Sequence, residues 1–360
     1  MKMIVRRTAL AVCTLVLALI LPTAASAACA GFDDVPETAD CYESVMYLAE
    51  CEIVAGTGND CFSPEQFITV EQWAVMLCRA YGVETIGDNW QDVGRSSVVE
   101  AYRQGWLKTA LSAPRSPMCR SVLVESAFAA ADVPVYDSTL YEGGTSLSTA
   151  DNILRAGREL GLCSDDADTN ALVTRGDAAI ILHVVLTQSF RIEEPPVPVT
   201  LVNAAGVNIN DYLLALRQVP EPVLATFNAA GWTYRIDFDY ISELSKQLNM
   251  SCIGATNYRQ KTIYVSEASA TLHEFGHFLD WTLGFPAEHE QLFRAEAAAA
   301  PLRDYAKTNA REYFADCFAY CIIHGNDSEM MESLRKNAPQ TCTYFEELGK
   351  DSWSRSIRSK

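Results

Sequence analysis

The sequence predicts a mainly α chain whose second half is α+β. Three observations carry this: a helix, turn, loop and helix pattern recurs three times before residue 191, a proline-rich break follows, and beyond it short β-prone runs lead into a long series of helices. At 360 residues the chain is long for one domain, so two or three are expected. A composition with 49% hydrophobic and 21% charged residues can bury a core, which excludes wholesale disorder. The formal net charge of −18 argues against nucleic acid or anionic lipid as the main partner.

The first element is a leader. Met1 to Arg7 is basic, Thr8 to Leu21 is almost continuously apolar, and Ala25-Ser26-Ala27 supplies small residues for a signal peptidase. The expectation is a signal peptide over residues 1–27 and a secreted chain with no later membrane span. A lipoprotein cut before Cys29 is the rival, although Ser26 stands where that signal wants an aliphatic residue. The 12 cysteines form no CxxC pair and suit an oxidising compartment better than a metal cluster. Cys51 and Cys61, flanking a Gly-Thr-Gly-Asn-Asp loop, form the favoured disulfide, with Cys29 left over.

Residues 28–191 repeat. Helical stretches end near Glu52-Ile53, Gly105-Trp106 and Gly161-Leu162, and second helices start at Thr69-Val70-Glu71-Gln72, Cys119-Arg120-Ser121-Val122 and Thr174-Arg175-Gly176-Asp177, spaced 50 and 55 residues apart. A period of that size marks stacked units sharing a core. The second helices, Trp73 to Tyr81, Leu123 to Ala131 and Ala178 to Leu186, are apolar nearly all round, as central helices should be. Phe32-Asp33-Asp34-Val35, Phe62-Ser63-Pro64-Glu65 and the Thr-Arg-x-acid helix starts resemble the S-layer homology (SLH) repeat. That resemblance implies a three-pronged helical module holding secondary polysaccharide of the Gram-positive cell wall, with Arg120 and Arg175 as the retained contacts for its acidic sugar. Val70 and Cys119 depart from the pattern. The plainer reading is that both arginines pack or pair on the surface.

Glu193-Glu194-Pro195-Pro196-Val197-Pro198 cannot continue a helix and reads as a stiff polyproline linker within residues 192–200. Residues 201–360 form the α+β half. Ile209 to Arg217 and Glu221 to Asn228 read as helices, Trp232 to Phe238 alternates like a strand, and Thr262 to Val265 is β-prone. This last run could take an extended peptide as an added strand.

His273-Glu274-Phe275-Gly276-His277 carries the chemistry. Residues four apart on a helix stack one turn above each other, so His273 and His277 can face one metal ion while Glu274 acts as base toward an attacking water. Zinc needs a third protein ligand. No histidine follows at the metzincin spacing, and Glu312 is the best candidate, on a helix whose Ala315 and Ala319 allow close approach and whose Asp316 could accept from a ligand imidazole. Glu288, Glu290 and Glu296 are rivals on an alanine-rich helix that looks solvated on one side. Tyr305 could donate to an oxyanion or simply pack. His183 reads as a core residue, His289 as a surface one and His324 as a helix-end one, while disulfide or burial is expected of Cys317 and Cys321.

Leu272 to Asp280, Tyr305 and Glu312-Tyr313-Phe314-Ala315-Asp316 together resemble the lethal factor-like zinc peptidases, which include the Pro-Pro endopeptidases. The resemblance implies an α+β gluzincin-type domain with zinc on His273, His277 and Glu312, Glu274 as general base, Tyr305 as oxyanion stabiliser, and Asp316 where a Glu is common. The function expected is a secreted zinc metalloendopeptidase, attached to the Gram-positive cell wall or S-layer and acting on a peptide or protein. The alternative is a wall-binding adhesion or envelope-organising protein with a relic peptidase domain.

Overall fold

The computed structural model describes residues 2–5, 31–108 and 113–354, so the leader's apolar stretch and cleavage site, with Cys13 and Cys29, lie outside the described residues. It divides into two compact units, Met1–Pro195 and Pro196–Lys360. The fold is mainly α with a small mixed sheet. Among the described residues no helix is long and apolar enough to cross a membrane.

The first unit contains helices α1 (Tyr42–Glu50), α2 (Val70–Ala80), α3 (Trp90–Arg103), α4 (Arg120–Ala130), α5 (Thr149–Glu159) and α6 (Arg175–Thr187). The three second helices therefore start three residues earlier than their apolar runs, at the starts the sequence marks, and two of them are capped by a loop threonine. Thr69 caps α2 in a reciprocal box with Gln72, and Thr174 accepts from the Asp177 N–H. Cys119, at the equivalent position, makes no side-chain cap. The segments before these helices close a ring of main-chain hydrogen bonds: Ile68 N–H donates to Val173, Val173 N–H to Met118, and Met118 N–H to Ile68, at 2.9 to 3.0 Å. Each repeat thus satisfies the next, and α6 packs back on α1 to complete the circle. Trp73 is fully buried at the centre and donates its indole N–H to Ser126 Oγ at 2.7 Å. Two short strands also pair antiparallel here, β1 (Lys2–Val5) and β2 (Phe190–Glu193).

No disulfide joins any two of the described cysteines. The expected Cys51–Cys61 bridge is absent; the Gly58 turn is closed instead by main-chain bonds, Thr57 N–H to Cys61 O and Cys61 N–H to Gly58 O. Cys317 and Cys321 are likewise unbridged, Cys317 being wholly buried.

The second unit is built on strands β3 (Leu201–Asn203), β4 (Thr233–Ile236), β5 (Gly254–Asn257) and β6 (Thr262–Val265), in spatial order β3-β4-β6-β5. The first three in that order run parallel, and β5 is antiparallel at the edge. β6 is buried along its whole length and bonded on both sides, so it cannot take an added strand; the edges are β3 and, beside β6, β5. Helices α7 (Asn210–Gln218) and α8 (Glu221–Ala229) fall as the sequence expects. The β4 run is shorter than its alternation, since Asp237 caps α9 (Phe238–Leu248) and turns Phe238 into a helical residue. The helices α10 (Thr271–Thr282), α11 (Ala287–Glu296), α12 (Ala310–His324), α13 (Ser328–Asn337) and α14 (Pro339–Lys350) follow.

Packing of Phe227, Trp232, Phe275 and Phe278, with ring centroids 4.9 to 6.2 Å apart, anchors α10 on the sheet side. Its other side meets α12 at Gly276. A methyl group on that residue would stand 2.6 Å from Ala315 Cα, so only glycine lets the two helices close.

Candidate metal centre

The close α10–α12 contact brings three ligand atoms together. His273 Nε2 and His277 Nε2 are 3.1 Å apart, and Glu312 Oε2 lies 3.1 Å from the first and 3.3 Å from the second. Hydrogen bonding does not account for the whole triangle. Glu312 Oε2 is buried without a hydrogen-bond partner, and two imidazole nitrogens aimed at each other share at most one proton. Tetrahedral zinc with bonds of about 2.0–2.1 Å sets its ligand atoms about 3.3–3.4 Å apart, which fits this triangle. His273, His277 and Glu312 form the one group of this kind among the described residues.

The surroundings orient His273. Asp316 Oδ1 takes the His273 Nδ1–H at 2.5 Å, which leaves Nε2 free to face the other two ligands. Asp316, one methylene shorter than the common Glu, still reaches. Arg303 grips its carboxylate with two donors, Nε to Oδ2 at 2.6 Å and Nη2 to Oδ1 at 2.7 Å. Burial works against charge on His273, but the Asp316 and Glu312 carboxylates prevail and raise it to about 9. Burial likewise opposes ionisation of Glu312 and Asp316, but the His273 and His277 imidazoles beside Glu312, and His273 and Arg303 beside Asp316, overcome it and lower both. A bound cation would replace the proton that this arrangement attracts. His277 Nδ1 is buried with no partner among the described residues.

Glu274 points beside the triangle rather than into it. Its Oε2 accepts from Thr256 Oγ1 at 2.7 Å, and its Oε1 would lie 2.6 Å from a methyl on Gly254. The edge strand β5 is therefore shaped around this carboxylate. Tyr305 sits 6.1 Å from the His273 ring, ring to ring, and is 40% exposed to the adjoining cleft. Burial and the nearby Glu312 charge push its phenol up to about 12, so it keeps its proton near neutrality. The cleft, of about 520 Å³, runs from His273 and Glu274 past Tyr305 to Tyr320 and Ile323.

The other acidic candidates are engaged elsewhere. Buried Glu296 accepts the N–H groups of Gln340 and Thr341 at the start of α14, and Glu290 pairs with Arg294 on the surface. His289 is not a surface residue: it is 4% exposed, bonds Asp280 and Tyr344 at 2.7 Å each, and stacks on Phe314. The reason is that α11 turns this face toward the protein while its charged face stays outside. His183 is part-buried against Ser44 and Tyr47, and His324, the last residue of α12, lies tilted against Tyr320 with ring centroids 4.6 Å apart beside the cleft.

In the first unit the two arginines are not equivalent. Arg175 is 6% exposed, donates to the Phe62 and Ala55 carbonyls, and lies over the Phe62 ring. It also lines a cleft of about 620 Å³ with Thr57, Gln72, Arg79 and Trp90. Arg120 instead approaches Asp177 at 3.4 Å and does not line that cleft.

A His-His-Glu set on two crossed helices, beside a sheet with an antiparallel edge strand, defines a candidate single-metal site. Residues 237–348 match the family described as anthrax toxin lethal factor, N- and C-terminal domain, and residues 31–72 match the S-layer homology domain. The two matches fall in the order S-layer homology domain, then lethal factor-like domain. No curated protein matches the chain.

Sequence reasoning missed Arg303 and Thr256. Neither belongs to a periodic pattern; the only signal was position, two residues before Tyr305 and in the short strand preceding β6.

Proposed function

We propose that the chain is a secreted zinc metalloendopeptidase held at the cell wall, with residues 1–27 as signal peptide, 28–191 as wall-binding module, 192–200 as linker and 201–360 as the peptidase domain. The observation that carries it is the convergence of His273 Nε2, His277 Nε2 and Glu312 Oε2 at zinc spacing, next to a carboxylate that is not a ligand. Zinc on these three residues would supply Lewis acidity toward the scissile carbonyl and acidify the attacking water. The remaining work falls to the chain. Glu274, held by Thr256, takes the proton from water and returns it to the leaving amine. Tyr305, still protonated near neutrality, donates to the oxygen that gains charge. The open edge of β5 can pair with an extended peptide and hold its carbonyl near Glu274.

Purified protein should take up one zinc per chain, cut a peptide library, lose that activity to a chelator and regain it with zinc. Absence of both zinc uptake and cleavage would leave the relic reading. Tyr305→Phe is expected to lower kcat by roughly ten- to a thousandfold, the scale of one oxyanion donor. Unchanged kcat would return Tyr305 to a packing role.

For the first unit, the reading is attachment to acidic cell-wall polysaccharide. An acidic chain meets an acidic polymer only through a local basic site, and the cleft containing Arg175 and Arg79 offers one. Cosedimentation of the full chain with purified wall polysaccharide should weaken about tenfold or more in Arg120→Ala/Arg175→Ala, the scale of one charged hydrogen bond. Arg120→Ala alone should bind nearly as wild type, since Arg120 faces Asp177. Equal binding by the double variant rejects these arginines as contacts.

A further inference from the structure

The Arg303 side chain stands where two parts of the site meet. It is 53% exposed, so it is not held there by burial. Its Nε and Nη2 engage both oxygens of Asp316 at 2.6 and 2.7 Å, and Nη2 also comes within 3.1 Å of His273 Nδ1. Its guanidinium carbon lies 5.3 Å from the centroid of the Tyr305 ring. One residue thus touches the support of a metal ligand and the phenol two positions along its own chain.

Both Asp316 oxygens need partners, because the side chain is only 8% exposed. Oδ1 receives His273 Nδ1–H, and Oδ2 has Arg303 as its donor. Without the guanidinium, Oδ2 would be left without that bond and the carboxylate could turn about its Cβ–Cγ bond. His273 would then lose the acceptor that sets its tautomer and ring plane. A lysine could supply the charge at this place but not the planar two-donor fork.

We propose that Arg303 is a positioning residue that, through Asp316, fixes His273 for zinc and, through its face, holds Tyr305 in the cleft. The assignment rests on the zinc peptidase reading above. It adds a third member to the His273–Asp316 pair and couples metal affinity to the setting of the oxyanion donor.

The test is zinc affinity of the full chain, measured by competition with a chromogenic chelator, alongside kcat and KM. Arg303→Ala should weaken zinc about ten- to a hundredfold, the usual cost of losing an outer support of a metal ligand, and should lower kcat with KM held. Arg303→Lys should fall between Ala and wild type. Tyr305→Phe should lower kcat with zinc affinity unchanged, which separates the two arms of the proposal. In Arg303→Ala/Asp316→Asn the loss of zinc affinity should match that of Asp316→Asn alone, because the arginine acts through the carboxylate. Zinc affinity within twofold of wild type in Arg303→Ala, or losses that multiply in full in the double variant, overturns the assignment. Wild-type chain that takes up no zinc sinks the peptidase reading itself, and the role of Arg303 with it. Melting curves of the metal-free variants verify that each is folded.

Discussion

Glu274→Gln should keep its zinc and lose turnover by about 10²–10⁴-fold, the range of a general acid–base group. The substitution is nearly isosteric. The amide oxygen can still accept from Thr256 Oγ1, and the space that Gly254 leaves for Oε1 can take the amide nitrogen. His273, His277 and Glu312 are untouched, so metal content should stay at one per chain while the proton acceptor is gone. Peptide cleavage at a tenth of the wild-type rate or more, with zinc fully loaded, would show that another group serves as base.

Glu312→Ala is expected to lose zinc by more than about a hundredfold in affinity, beyond the cost of removing an outer support. Two imidazoles would remain, and Glu312 Oε2 is the atom that closes the triangle. Glu296→Ala is the control. It should keep zinc and lose about 1–3 kcal/mol of stability, because Glu296 satisfies two N–H groups at the start of α14 rather than a metal. Zinc measured after dialysis and melting of the metal-free forms decide between them. Retention in Glu312→Ala with loss in Glu296→Ala would refute the assignment of the third ligand.

The parts of the molecule legible in the sequence are those written in local periodicity. His273 and His277 are one helical turn apart whatever surrounds them, and Ala315, Asp316 and Ala319 share a helix face by the same rule. The three central helices were legible as apolar runs with their starts at Thr69, Cys119 and Thr174, and the fold adds that Thr69 and Thr174 cap their helices while Cys119 does not.

Relations between segments were decided only by the tertiary structure. Whether β6 is an edge depends on which strands lie beside it, and β4 and β5 occupy both sides. Whether His289 meets water depends on where α11 lands, and it lands on Phe314 and Tyr344. Whether two cysteines bridge depends on distances that spacing does not encode, and Cys51 and Cys61 do not bridge each other. The His-Glu-x-x-His pair and the repeat spacing are legible in one dimension, since each follows from residue type at a helical or modular period, whereas Glu312 stood beside Glu288, Glu290 and Glu296 as a candidate until the fold set it against the two imidazoles. The ring that closes the repeats, the Thr256 bond to Glu274 and the Arg303 grip on Asp316 needed the fold, because each joins residues on different elements and has no periodic signature in one dimension.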